Sequence, residues 1–400
     1  MKILVINAGS SSLKFQLINM AKKKVLDKGN VERIGEGQPF LRYKAHGKEQ
    51  SFNADIPNHT VAMAMVLEKL TDKEIGVVGD LSEINGFGHR IVNVGEKYFD
   101  PILVTKEILE DFKTKVDFSP LHVPGAIAGI EGAMAVSPNT PNVAVFDIGF
   151  HKTMPKYAYL YAIPKRYYEN YRIRRYGAHG TSHYYVANEC AKMMGKKIKD
   201  TKIITCHIGG GASVAAVKGG KCIDTSMGFT PLEGVIMNTR CGDLDNAVVE
   251  FICNKEKRSV QDVLKMLNKE SGLLGLTGGR MSDMRDITAN LDDEEVRLAF
   301  EAYCYRIKKY IGAYAAALNG VDAIVFTAGC GEHTPELREL ACSGLDYLGV
   351  KIDKKRNWNL PRGEASEISA KSSKVKVFVI PTDEEMVIAK ETQKLLKNQK

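Results

Sequence analysis

The sequence has no CxxC pair and no Cys/His spacing suited to zinc; its eight cysteines stand far apart, at 190, 206, 222, 241, 253, 304, 330 and 342. That excludes a zinc module or a disulfide scaffold and reads as buried free thiols in a reducing compartment. Apolar runs reach only strand length, too short to span a bilayer. The N-terminus MKILVINAGS begins on a strand pattern, without a signal peptide's apolar stretch and small-residue cleavage site, so a cytoplasmic protein with no membrane contact is expected. Neither G-x-x-x-x-G-K-[ST] nor G-x-G-x-x-G occurs, which disfavours a P-loop or a dinucleotide-binding fold. The formal charge of +8 favours anionic ligands, but the basic triplet Lys22 to Lys24 has no aromatic residues interleaved with it, so no nucleic-acid partner is expected.

What the chain does have is an alternation of strand and helix patterns over 400 residues, more than one ordinary core supports, so two domains are expected. Apolar runs such as KILVINAG, LKFQLIN, INGFGHRIV, NVAVFDIG, KIITCHIG, ASVAAV, AIVFTAG and KVKVFVIP recur between helical stretches, the mark of an α/β protein with ligand loops after its strands. Val296, Phe300, Tyr303, Ile307, Ile311, Tyr314 and Leu318 recur at three- and four-residue spacing and predict a helix over Asp292 to Asn319, stopped by Asn319-Gly320. The segments ILVINAGSSSLKFQLI and IITCHIGGGASVAAVKGG each read as strand, Gly/Ser turn, strand, a duplicated hairpin with one copy per domain. The boundary is placed near Phe150 to Pro155, giving domains 1–150 plus a C-terminal helix 383–400, and 151–382.

Three post-strand loops suit phosphate. Asn7 to Lys14 offers a glycine, hydroxyls and a lysine, His207 to Gly211 offers three glycines, and FTAGCGEHTPELR places Gly329 and Gly331 ahead of a helix expected to start at Pro335 with Thr334 as its N-cap. Near the C-terminus, Thr382 and Glu385 have capping-box spacing, leaving Glu384 as a carboxylate for Mg2+. Arg90 in GHR, His122 in PLH, Asp147 in VAVFD and Arg240 in TRCGD are further titratable groups at strand ends or in loops, arginine being a fixed fork for carboxylate or phosphate.

Taken in order, VINAGSSSLKFQL, GHRIV, PLH, VAVFD, RRYGAHGTSH, DTSMGFTPLEG, TRCGD, SDMRDI, FTAGCGE and PTDEE resemble the acetate kinase family of short-chain acyl kinases across nearly the whole chain. The resemblance implies two actin-like α/β domains with a nucleotide cleft between them, a homodimer, ATP and ADP as co-substrates, Mg2+ with Mn2+ able to substitute, and a small carboxylic acid as acceptor. It makes Asn7 and Glu384 metal-side residues. Ser10, Ser12, Lys14, His207, Ile208, Gly209, Gly210, Gly211, Asp283, Met284, Arg285, Gly329, Cys330, Gly331, Glu332 and His333 become nucleotide contacts. Arg90, Val92, Leu121, Ala178 and Pro231 would surround the acceptor, with Asp147, His179, Arg240, Arg90 and His122 as the catalytic set.

The charged groups of the family pattern are kept here, while several small neighbours differ: Asn93 and Val94 follow GHRIV, Val123 follows PLH, and Gly210 and His333 replace asparagines. The sharpest departure is Ala178, where the family's phenylalanine lines the acyl pocket. A lost phenyl ring leaves room for a larger acid such as propionate, butyrate or a branched acid, at about 0.8 kcal/mol per buried CH2. A catalytically silent nucleotide-binding homologue is the alternative from another class, and the joint retention of Arg90, Asp147, His179, Arg240 and Glu384 argues against it.

Overall fold

The computed structural model describes residues 1–398. Its chain forms two compact units, Met1–Gly149 together with the segment from Asp383 onward, and Phe150–Thr382. The last two positions of the expected 383–400 helix lie outside the described residues; the helix runs Glu384–Lys397.

The first unit is built on strands β1 (Lys2–Ala8), β2 (Ser12–Asn19), β3 (Lys24–Glu32), β4 (Phe40–Ala45), β5 (Lys48–Asn53), β6 (Ile84–Ile91), β7 (Ile102–Leu103) and β8 (Asn142–Phe146), in the order β5-β4-β3-β2-β1-β6-β8-β7. β1 pairs antiparallel with β2 and parallel with β6, so its apolar run is covered on both faces. Leu4 and Ile6 join a core with Ala62, Met63 and Val66 of the His59–Leu70 helix, while Ile3 and Val5 pack with Met386, Ile388 and Ala389 of the C-terminal helix. Each such side chain contributes about 1.5–3 kcal/mol on burial. β2 alternates instead, burying Leu13, Phe15 and Leu17 and exposing Lys14.

The second unit carries β9 (Lys202–Ile208), β10 (Ala212–Lys218), β11 (Lys221–Thr225), β12 (Ala323–Thr327), β13 (Ser366–Glu367) and β14 (Lys376–Val379), ordered β11-β10-β9-β12-β14-β13. The run β11-β10-β9-β12-β14 repeats β3-β2-β1-β6-β8 in order and in strand direction, so the duplicated hairpin is real and each copy opens its sheet. The long helix is Glu294–Leu318, with all seven periodic positions buried. Asp293 caps it by accepting from the backbone N–H groups of Glu295 and Val296, and Asn319 ends it in the left-handed region at φ 52°.

One local expectation fails and another holds in part. The Thr382 hydroxyl is buried without a hydrogen-bond partner, and the cap of the C-terminal helix is Asp383, whose carboxylate accepts from Met386 N–H. An ionised side chain at the position next to the first turn satisfies that donor better than a neutral hydroxyl one residue too early. Thr334 does occupy the N-cap position of the Pro335–Cys342 helix but makes no side-chain cap bond, and the segment before it is a short helix, Ala328–His333, rather than a loop. All eight cysteines are free thiols, although Cys241, Cys253 and Cys330 are only partly buried. Among the described residues no helix is long and apolar enough to cross a membrane.

Candidate active site

In the first unit, Arg90 near the end of β6 and Asp147 just past β8 lie on neighbouring parallel strands, and the guanidinium donates to the Asp147 carboxylate at 2.7 Å. Asp147 is wholly buried. Glu384, in the first turn of the C-terminal helix, lies 3.9 Å from Arg90 Nε. Burial opposes the charge on Arg90, but the carboxylates of Asp147, Glu384 and Glu385 outweigh it and raise its pKa. The Nε–H is buried and makes no hydrogen bond among the described residues, with the Glu384 carboxylate as its ionic neighbour.

The β1–β2 turn holds Ser10, with Ser12 and Lys14 at the start of β2, and Gly125 of the Val123–Val136 helix packs so tightly on the turn that a Cβ there would sit 2.3 Å from Gly9 C. His122 stands at the N-cap position of the same helix, 3.2 Å from Ser119 Oγ. Asn7, Lys14 and Glu385 line one cavity of about 380 Å3, with Gln16, Lys28 and Arg42 among its other walls. Glu385, assigned from the sequence to a capping box, thus faces a cavity; burial raises its pKa, and Glu384 and Asp383 add to the shift. Carboxylates crowded in one turn beside an amide oxygen suit a hard cation that keeps waters and nucleotide oxygens among its ligands. No cluster of three His, Cys, Asp or Glu residues able to cage a metal occurs among the described residues.

In the second unit the site centres on Gly211. A Cβ at that position would lie 3.4 Å from Arg240 Nη1 and 3.6 Å from His179 Nε2, so guanidinium and imidazole flank the same phosphate-type turn. Arg240 has only Pro231 O at 3.2 Å and Met237 Sδ at 3.7 Å as partners, no carboxylate among the described residues, and burial lowers its pKa. His179 sits at the N-cap of the Gly180–Met193 helix in the left-handed region, φ 57°, and its ring stacks on His207 at 4.0 Å. Gly177 has no substitute: φ is 80°, and a Cβ would meet Thr225 Cγ2 at 2.5 Å. Ala178 lies in the apolar interior of this unit. That residue is 3% exposed and belongs to the same apolar cluster as Met227, Val235 and Met237.

The remaining expected contacts divide. Gly209, Gly210 and Gly211 bring backbone to the surface, whereas the side chains of Ile208 and Met284 turn into the core and leave only main chain for a ligand. Asp283 accepts from the Arg285 backbone and pairs with its exposed guanidinium at 2.6 Å. Gly329, Cys330, Gly331, Glu332 and His333 lie in the short helix after β12. Val92 is buried and Leu121 is 55% exposed.

The model of the acetokinase family matches residues 2–390. The chain belongs to the acetokinase family. An acetate kinase of Thermotoga maritima is 53% identical to it over 398 residues, 99% of both chains. The crystal structure of Porphyromonas gingivalis acetate kinase superposes with a TM-score of 0.93 at 41% identity, covering 99% of each chain. A propionate kinase from Francisella tularensis subsp. tularensis superposes at 0.91 with 38% identity over 98% of this chain and 99% of its own. The two α/β units are therefore the actin-like architecture of the acetokinases.

Within that frame, sequence reasoning missed residues that carry no motif of their own. Arg338, 1% exposed, donates to the carbonyls of Gly331 and Glu332 and to Asn357, pinning the short helix after β12. Ser213 and Thr205 are buried hydroxyls on β10 and β9 that touch the histidines behind Gly211. Strand alternation was the available signal, since it turns Thr205, His207 and Ser213 to the face of the sheet opposite Ile204, Cys206 and Val214.

Proposed function

We propose that this protein catalyses the reversible transfer of the ATP γ-phosphoryl group to acetate, giving acetyl phosphate and ADP, with Mg2+ as the divalent ion and Mn2+ as a substitute. The observation that carries the reading is Arg240, a part-buried guanidinium that has no acidic partner among the described residues and lies with His179 Nε2 beside a glycine turn. A cation kept from water without a counter-ion is a site for an anion whose charge it stabilises.

An acetate oxygen forms the new bond to phosphorus while the bond to the ADP oxygen breaks, and no net proton moves. A carboxylate is already nucleophilic, so the residues align and neutralise rather than deprotonate. Arg90 binds the acceptor carboxylate through its buried Nε–H, and Asp147 holds the guanidinium in place. Arg240 and His179 donate to the oxygens of the transferring group, and the backbone from His207 to Gly211 carries nucleotide phosphate. Asn7 and Glu384 would hold Mg2+, which neutralises phosphate charge when bound, and Glu385, which lines the same cavity as Asn7, lies next to Glu384 in the chain. Val92, Leu121 and Pro231 serve the acyl group and His122 lies near it. Lys14, Ser10 and Ser12 serve the phosphates, and Asp283 to Arg285 and Gly329 to His333 the adenosine. The packed surroundings of Ala178 favour acetate over a longer acid. A cytoplasmic homodimer completes the proposal, checked by sedimentation.

Hydroxylamine trapping of acyl phosphate, with ATP, Mg2+ and a series from acetate to butyrate, tests both activity and chain length. The expected result is a kcat/KM highest for acetate and falling steadily to butyrate. A maximum at propionate or beyond refutes the acetate assignment, and no product with any acid refutes the kinase.

A further inference from the structure

Behind the turn at Gly211 lies a set of buried groups that the proposed reaction does not use directly. Ser213 Oγ is 2.8 Å from His179 Nδ1 and also 2.8 Å from His183 Nε2, and His183 Nδ1 is 2.7 Å from Thr205 Oγ1. The three elements meet by register: Ser213 faces His207 across the β9–β10 pair, Thr205 is two residues along β9, and His183 is one helical turn beyond His179. Ser213, Thr205 and His183 are all wholly buried.

The direction of this chain of hydrogen bonds follows from proton count. His183 Nδ1 is the one hydrogen-bond partner of the Thr205 hydroxyl among the described residues, and a buried hydroxyl proton without an acceptor is costly, so Thr205 donates to that nitrogen. His183 faces two hydroxyls and lies 5.8 Å and 6.2 Å from the rings of His151 and His207; burial and these neighbours hold its pKa far below the usual histidine range. It is therefore neutral, and with Nδ1 accepting, its single proton is on Nε2 and goes to Ser213 Oγ. Ser213 is then left with its own proton for His179 Nδ1.

We propose that Ser213, backed by His183 and Thr205, is a positioning residue that fixes His179 as the tautomer protonated on Nε2, the nitrogen beside Gly211 and Arg240. The inference rests on the role given to His179 above: a neutral imidazole protonated on Nδ1 would turn a lone pair toward phosphoryl oxygens, whereas the Nε2–H tautomer donates to them. Ser182, also fully buried, stands 2.8 Å from Nδ1 of His207, the ring stacked on His179.

The test is long-range 1H–15N correlation on the full-length protein labelled at histidine, with the His179 signals assigned by their loss in His179→Asn. The wild type is expected to show His179 protonated on Nε2. Ser213→Ala should give a mixture of tautomers and lower kcat by about tenfold, the size of one lost hydrogen bond in a preorganised site, with KM for acetate and ATP within about twofold. Ser213→Thr, which keeps a hydroxyl, should restore both. Thr205→Val should disturb the His179 signals from two hydrogen bonds away, and Thr205→Ser should not. Finding His179 protonated on Nδ1 in the wild type, or a wild-type tautomer in Ser213→Ala, overturns the proposal. A tautomer shift in Ser213→Ala with kcat unchanged upholds the relay and instead removes His179 from the transition state.

Discussion

Replacing Arg240 by alanine separates a ligand-directed cation from a structural one. The guanidinium holds one carbonyl at 3.2 Å and one thioether sulfur at 3.7 Å, with no carboxylate among the described residues, and its burial works against its charge. Removal therefore relieves a desolvation penalty while losing one bond to a neutral acceptor, and these two effects offset each other. Thermal stability should move by no more than about 2 °C, given that 1 kcal/mol corresponds to about 2–4 °C for a unit of this size. Catalysis should behave otherwise, since deleting one preorganised transition-state donor costs about 2.7–4 kcal/mol, or about 10²–10³ in kcat. Arg90→Ala is the contrast: it strips a 2.7 Å partner from the wholly buried Asp147. Breaking a buried pair costs about 3–5 kcal/mol, so the melting temperature should fall by about 10 °C. Differential scanning calorimetry and the hydroxamate assay at saturating ATP and acetate read the two effects. The reasoning fails if Arg240→Ala keeps kcat within threefold of wild type, or if it destabilises as much as Arg90→Ala.

Asp27 is 1% exposed and burial raises its pKa from 3.8 to about 7. Between those values the folded protein keeps a proton that the unfolded chain releases, so this residue's contribution to stability falls as pH rises from about 4 to about 7 and is flat above, a change of about 4 kcal/mol at about 1.4 kcal/mol per unit. Asp27→Asn should accordingly raise the melting temperature at pH 8 and hardly at pH 4; equal shifts at both would be against it. Asp383→Ala should cost about 1 kcal/mol through the lost cap, while Thr382→Val should be neutral or stabilising because its hydroxyl has no partner. Urea titration of the two variants distinguishes this assignment from a cap at Thr382. Gly125→Ala drives a methyl group into the backbone of Gly9. It should reduce stability by more than 2 kcal/mol and raise KM for ATP, an outcome that steady-state kinetics at permissive temperature can check.

What could be read in the chain was local. The hairpins at Asn7 and Gly209 and the helix ending at Asn319 follow from period and turn chemistry within about 20 residues, and the structure has them with the expected faces buried. The charged residues of the candidate site were legible as titratable groups at strand ends and in loops, and the roles expected of them came from the resemblance to the acetate kinase family. Their pairing was not. Arg90 and Asp147 are 57 positions apart and meet only because β6 and β8 are neighbours, whereas Arg240 meets no acid among the described residues. The cap at Asp383 was missed because Thr-x-x-Glu spacing ignores where the Thr382 side chain is sent by packing. Whether the ring missing at Ala178 leaves space depends on how its neighbours pack, and those neighbours, Met227, Val235 and Met237, come from distant stretches of the chain. Ser213 and Thr205 escaped notice since a hydroxyl gains meaning only from the nitrogen it faces.

The backbone of His179 has one more consequence. At φ 57° a histidine is a poor choice on conformational grounds, and glycine or asparagine would relax the chain at the start of its helix. Selection for robustness alone would thus erase the imidazole, and a lineage that gave up catalysis would be free to let it go. The identity of this single position in a descendant becomes a historical marker, recording whether the enzyme's work was still demanded of it.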